Sequence, residues 1–307
     1  MKTASTVLMI RPHTFGVNPQ TAASNAFQSA AADENVSHQA LIEFEGAADA
    51  LKHAGVNVIV MDDVAEPPTP DAIFPNNWLS FHADGRVVLY PMAAPNRRAE
   101  RRLDVLRSLE KEFGFSISQI VDWSAYEDEE MFLEGTGSLV LDRNKKIAYA
   151  CRSTRTHDQL LEIFADEFDY HLVPFSAHDR DRQAIYHTNV MMSVGDNFAV
   201  VCQESIDEID KPYVIAALRD SGKVIIEIDY QQLYAFVGNC LQLATTDGSR
   251  IIALSSQAKA ALRADQIKAL SEHGRLVDAP LDTIERVGGG SMRCMLARIF
   301  LPKRSSS

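Results

Sequence analysis

The chain of 307 residues has few cysteines, and their arrangement indicates neither a disulfide framework nor a metal site. The four cysteines, Cys151, Cys202, Cys240 and Cys294, are far apart. None belongs to a Cys-x-x-Cys pair or to a cysteine–histidine cluster with zinc spacing. This pattern is typical of proteins in a reducing compartment, so we expect a cytoplasmic location.

Long apolar runs and an excess of basic residues are also missing. No segment approaches the roughly 20 apolar residues of a membrane-spanning helix. The N-terminal sequence MKTASTVLMIRPHTF has only a short apolar stretch before Arg-Pro, which predicts a strand rather than a signal peptide. The 30 basic and 42 acidic residues give a formal net charge of −12. Because nucleic acids and anionic membranes are bound by clustered Lys and Arg, we expect neither as a partner.

What the sequence does contain is a repeat of about fifty residues. Five stretches with apolar residues at three- and four-residue spacing predict helices. They are SHQALIEFEGAADALKHAG, ERRLDVLRSLEKEFG, HDQLLEIFADEFDY, DKPYVIAALRDSG and SSQAKAALRADQIKALSEHG. Four end at a glycine suited to a left-handed C-terminal cap, namely Gly55, Gly114, Gly222 and Gly274. Short runs rich in β-branched residues follow most of them and predict strands: VNVIVM, HLVPF, KVIIEI and RLVDAP.

Four of the five units also contain a predicted hairpin, with turns of sequence ADG, DRN, GDN and TDG. The fifth unit has only a first hairpin strand, SMRCMLARIFL, and the N-terminal segment TVLMIRP is its predicted partner. We therefore predict one α/β domain over residues 1–307. It would be a five-bladed α/β propeller with pseudo-five-fold symmetry, closed by the N-terminal strand. The alternative is an ordinary mixed α/β sheet in which the repeat spacing arises by chance.

Polar or reactive residues occupy the same place in all five units, where the first hairpin strand opens. They are Asn77, Glu134, His187, Asn239 and Cys294. Equivalent positions should converge at one end of the axis. A cysteine, a histidine and a carboxylate at one cavity suit covalent catalysis with acid–base assistance. A phosphate-binding loop at the glycines before Cys294 is excluded, because an apolar strand rather than a helix follows them.

Each of the three residues also has a purely structural interpretation. Cys294 would be a small buried hydrophobe, and His187 a satisfied core histidine on a strand AIYHTNVMMSV. Glu134 would be a solvated loop carboxylate. Their matched positions favour catalysis. We predict Cys294 as the nucleophile with a thiol pKa lowered by its site, His187 as the acid and base, and Glu134 as the orienting carboxylate.

The motifs around these residues resemble the pentein superfamily of guanidine-modifying enzymes, which includes arginine deiminases, dimethylarginine hydrolases and amidinotransferases. GGGSMRCM resembles the nucleophile motif, LEGTG the carboxylate motif and YHTNVMM the histidine motif. The resemblance implies a five-bladed propeller and the same catalytic trio. It further implies that Arg155 in STRT, and either Arg97 or Arg98 in PNRRAE, hold the substrate carboxylate. Asp71 in PDAIF is implied to order the substrate.

One departure from the superfamily pattern concerns the substrate. Guanidine-binding members have Phe-x-Glu-Asp or Phe-x-Arg-Asp where this chain has Phe74-Pro75-Asn76-Asn77-Trp78. A guanidinium offers only donors and carries a charge, whereas a neutral ureido group has a carbonyl oxygen that accepts from an amide NH₂. The same motif resembles the citrulline-utilisation branch. We therefore expect citrulline, a small amino acid, to be hydrolysed to ornithine, carbon dioxide and ammonia.

Several alternatives stay open at this point. The chain could act as a guanidine hydrolase or deiminase on arginine, methylarginine or agmatine. It could also be an amidinotransferase, or a catalytically silent binding module. The covalent mechanism requires no metal and no organic cofactor, because the cysteine supplies the intermediate and nothing is oxidised. The sequence leaves a monomer and a homodimer both open.

Overall fold

The computed structural model describes residues 3–22, 24–29 and 35–304. Within these ranges, fifteen strands form five three-stranded sheets. The strands are β1 (Thr6–Arg11), β2 (Asn57–Asp62), β3 (Leu79–Phe81), β4 (Arg86–Leu89), β5 (Gln119–Asp122), β6 (Val140–Asp142), β7 (Ile147–Cys151), β8 (His171–Phe175), β9 (Met192–Val194), β10 (Phe198–Val201), β11 (Val224–Glu227), β12 (Leu241–Ala244), β13 (Arg250–Ser255), β14 (Arg275–Ala279) and β15 (Ala297–Arg298).

Ten α-helices accompany the strands in the described part of the chain. They are α1 (Pro19–Ala22), α2 (Val36–His53), α3 (Leu103–Lys111), α4 (Gly135–Ser138), α5 (Asp158–Phe168), α6 (Thr188–Met191), α7 (Lys211–Asp220), α8 (Tyr230–Tyr234), α9 (Ser256–Ala261) and α10 (Ala264–Ser271). Short 3₁₀ turns cover Pro75–Asn77, Pro95–Glu100, Ser124–Glu129 and Gln203–Ser205, and a π-helical turn covers Ile284–Gly288. None of the described helices is both long and apolar enough to cross a bilayer.

All five sheets have the same topology. In each, a central strand pairs antiparallel with one neighbour and parallel with the other, as β4 does with β3 and β5. The fifth unit follows the prediction: β1 pairs antiparallel with β15, with Val7 opposite Arg298, and parallel with β2. The prediction of a mixed α/β fold with five equivalent units is thus confirmed. No strand pairing joins the five sheets of the described residues into one closed sheet.

The first strands of several neighbouring sheets lie side by side. β15 contacts β3, β6 contacts β9, and β9 contacts β12. Their sheets therefore meet along the short first strands, while the longer helices pack farther out, as α2 does on β2 and β14. The inward face of α2 buries Phe44 and Leu51 completely. Each of these side chains contributes about 1.5 to 3 kcal/mol of burial free energy, which fixes the helix on its sheet.

Two local predictions are wrong. The segment predicted as a single helix, 255–274, forms α9 and α10, because Leu262 between them is buried in an extended conformation with ψ of 138°. Ser255 caps α9 by accepting a hydrogen bond from the backbone N–H of Ala258. The strand predicted for 184–194 instead opens with the helical turn α6, and only Met192–Val194 is a strand.

The glycine caps are partly as predicted. Gly55, Gly114 and Gly222 have φ of 94°, 68° and 81°, in the left-handed region. Gly274 is not left-handed. A glycine suits this position because the backbone of Arg250 passes close by, and a Cβ on residue 274 would lie 3.1 Å from the Arg250 carbonyl oxygen. In the unit without a glycine, Asp169 takes the left-handed cap with φ of 55°.

Candidate active site

The residues at the matched repeat positions lie in turns directly before the first strands. Asn77 ends a 3₁₀ turn, Glu134 and His187 each precede a one-turn helix, and Cys294 lies in the turn before β15. The strand conformation expected at these positions is wrong, because the chain makes a turn before it enters the sheet, and in three of the units this turn is helical. The expected convergence does occur.

A pocket brings together most of the predicted site residues. Its lining consists of Thr21, Asn25, Gln28, Asp71, Phe74, Asn77, Arg97, Arg155, Tyr186, His187, Gly288, Gly289, Gly290 and Cys294. Glu134 does not line the pocket, but it is fully buried directly behind His187. Among the described residues, no group of three or more His, Cys, Asp or Glu side chains is placed to hold a metal ion.

Glu134 is the charged centre behind the pocket. Its Oε1 accepts a hydrogen bond from the N–H of Ala93 at 3.1 Å, and its Oε2 lies 2.9 Å from Nε2 of His187. The guanidinium groups of Arg155 and Arg97 approach Oε2 at 3.5 and 3.7 Å. Burial opposes ionisation, but Arg155, His187 and Arg97 hold the pKa of Glu134 well below its usual range. Glu134 is therefore a carboxylate that holds the imidazole in place.

His187 is a neutral imidazole in the resting site. Burial lowers its pKa to about 4, with Arg155 and Arg97 acting in the same direction and Glu134 opposing them. An ionised carboxylate only accepts hydrogen bonds, so Nε2 of His187 carries the proton and donates it to Glu134. Nδ1 is left with a free lone pair. The Glu134–His187 pair thus favours the tautomer in which Nδ1 can accept a proton.

The lowered pKa of His187 predicts a loss of stability in mild acid. Unfolded histidine has a pKa of about 6.5, so between about pH 6.5 and 4 the unfolded chain binds a proton that the folded chain excludes. The contribution of neutral His187 to the free energy of unfolding is complete above this window and decreases as the pH falls. The decrease is about 2 kcal/mol between pH 7 and pH 5. Urea unfolding at pH 7 and pH 5 gives the decrease in unfolding free energy for each protein. This decrease should be about 2 kcal/mol smaller in His187→Gln than in the parent. An equal drop in both proteins would contradict the buried neutral imidazole.

Cys294 is buried and receives two amide hydrogen bonds. Nδ2 of Asn239 and Nδ2 of Asn189 lie 3.3 and 3.4 Å from Sγ. Burial raises the pKa of the Cys294 thiol, although the Ser291 backbone contact, these two amides and Arg293 favour the thiolate. The expected lowering of the Cys294 pKa is therefore wrong, because desolvation outweighs the donors. The resting pair is a neutral thiol and a neutral imidazole.

Arg97 and Arg98, between which the sequence left a choice, have different surroundings. Arg97 is 2% exposed, and its Nε and Nη2 donate to the two carboxylate oxygens of Glu100 at 2.8 and 2.9 Å. Arg98 lies outside the pocket lining; its side chain is about a third exposed and pairs with Glu127 at 3.2 Å. The structure thus places Arg97, and not Arg98, at the pocket. Burial opposes its charge, but Glu100, Asp71 and Glu134 raise the pKa of Arg97 far above its ordinary value.

The orientation of the Asn77 amide is fixed by Arg97. Nη1 of Arg97 donates to Oδ1 of Asn77 at 3.0 Å. A guanidinium only donates, so the atom facing it must be the amide oxygen. Nδ2 of Asn77 donates one hydrogen to Oδ1 of Asn76 at 3.1 Å, which leaves one N–H available. A Cβ on Gly137 would lie 2.5 Å from Nδ2 of Asn77 and 2.7 Å from Nδ1 of His187, so only glycine fits between them.

Asp71 and Arg155 complete the polar wall. Asp71 is buried, accepts from Nδ2 of Asn18 at 2.7 Å through Oδ2, and has no hydrogen-bond partner on Oδ1 within the described residues. Arg155 donates to Oγ of Ser24 at 2.7 Å and to the carbonyl of Thr21 at 3.2 Å. The shortest hydrogen bonds of the Arg155 guanidinium thus go to uncharged oxygen atoms. A substrate carboxylate would bind this guanidinium more strongly than these uncharged acceptors do.

Sequence reasoning missed several residues that shape the site. Asn18, Thr21, Asn25 and Gln28 precede the first predicted helix and carry no motif or repeat position, so no sequence signal marked them. Glu100 has no repeat position either; the signal that marks it is its place three residues after Arg97 within one short turn. Asn239 stood in the list of matched positions, but only the structure shows its hydrogen bond to Cys294.

A sequence model of one protein family matches nearly the whole chain. The family is described as N,N dimethylarginine dimethylhydrolase, eukaryotic, and the match covers residues 11–301. The chain belongs to this family. It is therefore a member of the pentein superfamily of guanidino-modifying enzymes, as the sequence motifs indicated, and a hydrolase of carbon–nitrogen bonds. No curated protein matched the chain by sequence.

Solved structures share the fold at low sequence identity. The apo structure of ArgZ, an arginine dihydrolase from the ornithine–ammonia cycle in cyanobacteria, matches with a TM-score of 0.74 and 16% identity, covering 97% of this chain and 41% of ArgZ. The substrate-bound N-terminal domain of ArgZ alone gives 0.72 and 16%, covering 96% of this chain and 97% of the domain. A dimethylarginine dimethylaminohydrolase adduct with S-methyl-L-thiocitrulline gives 0.63 and 13%, covering 96% and 100%.

Proposed function

We propose that this hydrolase acts on a ureido amino acid, citrulline, and releases ornithine, carbon dioxide and ammonia. The observation that supports this substrate most directly is the fixed amide of Asn77. Its oxygen faces Arg97, and its NH₂ group keeps one N–H that the contact with Asn76 does not use. A ureido carbonyl oxygen accepts such a donor, whereas a guanidinium has no acceptor to offer.

Most carboxylate oxygens around the pocket are already engaged by cations or hydrogen-bond donors of the protein. Glu134 is the carboxylate nearest the imidazole, and two guanidinium groups already face its Oε2. Glu100 is engaged by Arg97 through both of its oxygens. A substrate guanidinium placed beside Asn77 would add a third cation near Arg97 and Arg155. Among the described residues that line the pocket, Asp71 is a carboxylate with an oxygen that has no hydrogen-bond partner. A neutral ureido group avoids that repulsion.

In the proposed first half-reaction, Nδ1 of His187 takes the proton of the Cys294 thiol as sulfur attacks the ureido carbon. The carbonyl oxygen gains negative charge and is stabilised by the Asn77 N–H. His187, now protonated, gives the proton to the ornithine nitrogen, which leaves as a neutral amine. Sulfur remains bonded to the carbamoyl carbon, so one carbon–sulfur bond has formed and one carbon–nitrogen bond has broken.

In the second half-reaction, His187 acts as a base toward water. The water oxygen attacks the carbamoyl carbon, the carbon–sulfur bond breaks, and the proton returns to Cys294. The product is carbamate, which decomposes to carbon dioxide and ammonia. Asn189 and Asn239 donate to Sγ and stabilise sulfur when it leaves as thiolate. No metal ion and no organic cofactor takes part in these steps.

The other end of the substrate would be held by Arg155 and Asp71. Arg155 would bind the α-carboxylate in place of its contacts with Ser24 and Thr21. The free Oδ1 of Asp71 would accept from the α-ammonium group. Arg97, whose Nε and Nη2 are occupied by Glu100, would act on Asn77 rather than on the substrate carboxylate.

Arginine is a second candidate substrate. ArgZ, which shares the fold, is an arginine dihydrolase. Two successive hydrolyses of a guanidine pass through a ureido group, so a site built for ureido hydrolysis is compatible with the second of them. The chain spans 41% of the length of ArgZ, so arginine hydrolysis by this chain is a proposal.

A substrate screen tests the proposal directly. Purified enzyme would be given citrulline, arginine, methylarginines and agmatine separately, with ammonia and amino-acid products measured by mass spectrometry. We expect ornithine and ammonia from citrulline. Ammonia from arginine with none from citrulline would overturn the ureido assignment in favour of a guanidine hydrolase. Dependence on an added amine acceptor would indicate an amidinotransferase instead.

Arg155→Ala should raise KM for citrulline by about 10- to 100-fold, because hydrogen bonds to a charged group contribute about 1.5 to 3 kcal/mol. Turnover of N-butylurea, which has no α-carboxylate, should change much less. Arg152→Ala is the matched control, since Arg152 is half-buried, lies outside the pocket lining and pairs with Asp158 at 3.0 Å. Equal losses on both substrates in Arg155→Ala would contradict carboxylate binding and indicate a role through Glu134.

A further inference from the structure

A second pocket lies where several first strands end, at the hairpin turns rather than at the turns that carry the catalytic residues. The turn after β6 contributes Arg143 and Asn144, and the turn after β9 contributes Gly195 and Asp196. Arg298, at the end of β15, completes the wall. Asn144 is exposed and Gly195 is half-buried, so the pocket opens to solvent at these turns.

Two arginines face this pocket without a carboxylate partner. The guanidinium carbons of Arg143 and Arg298 lie 4.2 and 5.5 Å from the centroid of the same Phe300 ring. Within the described ranges, neither arginine forms an ion pair, and Nε of Arg143 has no hydrogen-bond partner although the residue is only 9% exposed. Arg143 also adjoins Tyr170, whose hydroxyl is uncharged. A buried guanidinium with an unused donor is expensive unless something binds it.

The two acidic residues of the pocket are already compensated. Asp142 pairs with the buried Lys223 at 2.7 Å, and Asp196 pairs with Arg250 at 3.1 Å. Asp196 also accepts from Oγ1 of Thr3 at 2.7 Å. The charges of Arg143 and Arg298 therefore remain in excess, in a chain whose formal net charge is −12. Burial lowers the pKa of both arginines, and for Arg298 the neighbouring charge of Arg143 adds to the effect.

We propose that this pocket is an anion site that binds a small doubly charged oxyanion, such as inorganic phosphate or the phosphoryl group of a metabolite. Planar guanidinium groups donate in pairs to phosphate oxygens, and two of them match a charge of −2. Binding would supply the missing acceptor for Nε of Arg143 and remove the repulsion between the two cations. The pocket shares no lining residue with the catalytic pocket, so the proposal is independent of the substrate assignment.

Calorimetric titration with sodium phosphate, in buffer brought to constant ionic strength with sodium chloride, tests the site. We expect one phosphate per chain, and a Kd at least about tenfold weaker in Arg143→Met and in Arg298→Met. Arg180→Met is the matched control, because Arg180 is exposed and lies over an aromatic ring, Tyr230. It should bind phosphate as the parent does. Arg155→Ala should also bind normally, which separates this site from the catalytic pocket.

Some outcomes would overturn the proposal. These are equal affinity in the parent and both methionine variants, loss of binding in Arg155→Ala, or the same heat from chloride alone. If Arg143→Met does not fold by circular dichroism, Arg143→Lys replaces it; it keeps the charge but loses the planar fork and should still bind more weakly. Glycerol 3-phosphate distinguishes the two sources of the anion, since tighter binding than inorganic phosphate assigns the site to a phosphate monoester.

Discussion

Cys294→Ala should lower kcat by about 10⁴-fold or more on any substrate that the enzyme turns over, because removal of a covalent nucleophile has effects of this size. The alanine side chain leaves His187 without a proton to accept and the reacting carbon without an attacking atom. The two amides on Sγ, from Asn189 and Asn239, would lose their acceptor without any charge being buried. The measurement is the initial rate of ammonia release from citrulline.

The matched control for this prediction is Cys202→Ala. Cys202 is also fully buried, and burial raises its pKa to about 12, but it does not line the catalytic pocket. It should keep most of the activity while losing stability comparable to that of other core truncations. In the parent, rapid acid quenching should trap a carbamoyl adduct on Cys294, visible by peptide mass spectrometry. A Cys294→Ala protein that retains more than about a hundredth of the parent rate would exclude covalent catalysis at this position.

The architecture could be predicted because each unit repeats the same local signals. Helical spacing occurs in all five units, a β-branched run follows most of the helices, and a turn rich in Asp, Asn and Gly occurs in four units, so a weak signal in one unit is supported by the others. The pairing of β1 with β15 followed from a missing hairpin strand rather than from any local pattern. The same repeat located Glu134, His187 and Cys294, since equivalent positions in equivalent units share one end of the fold.

The electrostatic state of the site could not be predicted in this way. The pKa of a thiol depends on how completely water is excluded, and sequence spacing carries no measure of burial. Whether Arg97 or Arg98 lies at the pocket depends on which side of the 3₁₀ turn Pro95–Glu100 is directed toward Asp71. Adjacent residues in such a turn point in very different directions. The polar residues of 18–28 come from a segment outside the repeat, so pseudo-symmetry gave no information about them.

Asn77→Asp should lower kcat/KM for citrulline by about 5- to 150-fold. The substitution replaces the N–H that faces the ureido oxygen with a carboxylate, so a hydrogen bond becomes a repulsion between two acceptors. Loss of the bond with its partner left unpaired costs about 1 to 3 kcal/mol, and each 1.4 kcal/mol is a factor of ten in rate. Because Arg97 already faces Oδ1 of Asn77, the new carboxylate would pair with it and be stable in the site. Arginine should in turn bind more tightly, since its guanidinium meets an acceptor.

The neighbouring variant Asn76→Asp separates this effect from the mere addition of charge. Asn76 is also fully buried, and its Oδ1 accepts from Nδ2 of Asn77, a contact that an aspartate would preserve. It places a carboxylate in the same turn but leaves the Asn77 N–H directed at the substrate. We therefore expect Asn76→Asp to keep a citrulline-to-arginine preference close to that of the parent, whatever its stability. If Asn77→Asp hydrolyses citrulline within about twofold of the parent, the amide does not determine the substrate, and the choice between ureido and guanidino groups must lie with Asp71 and the two arginines.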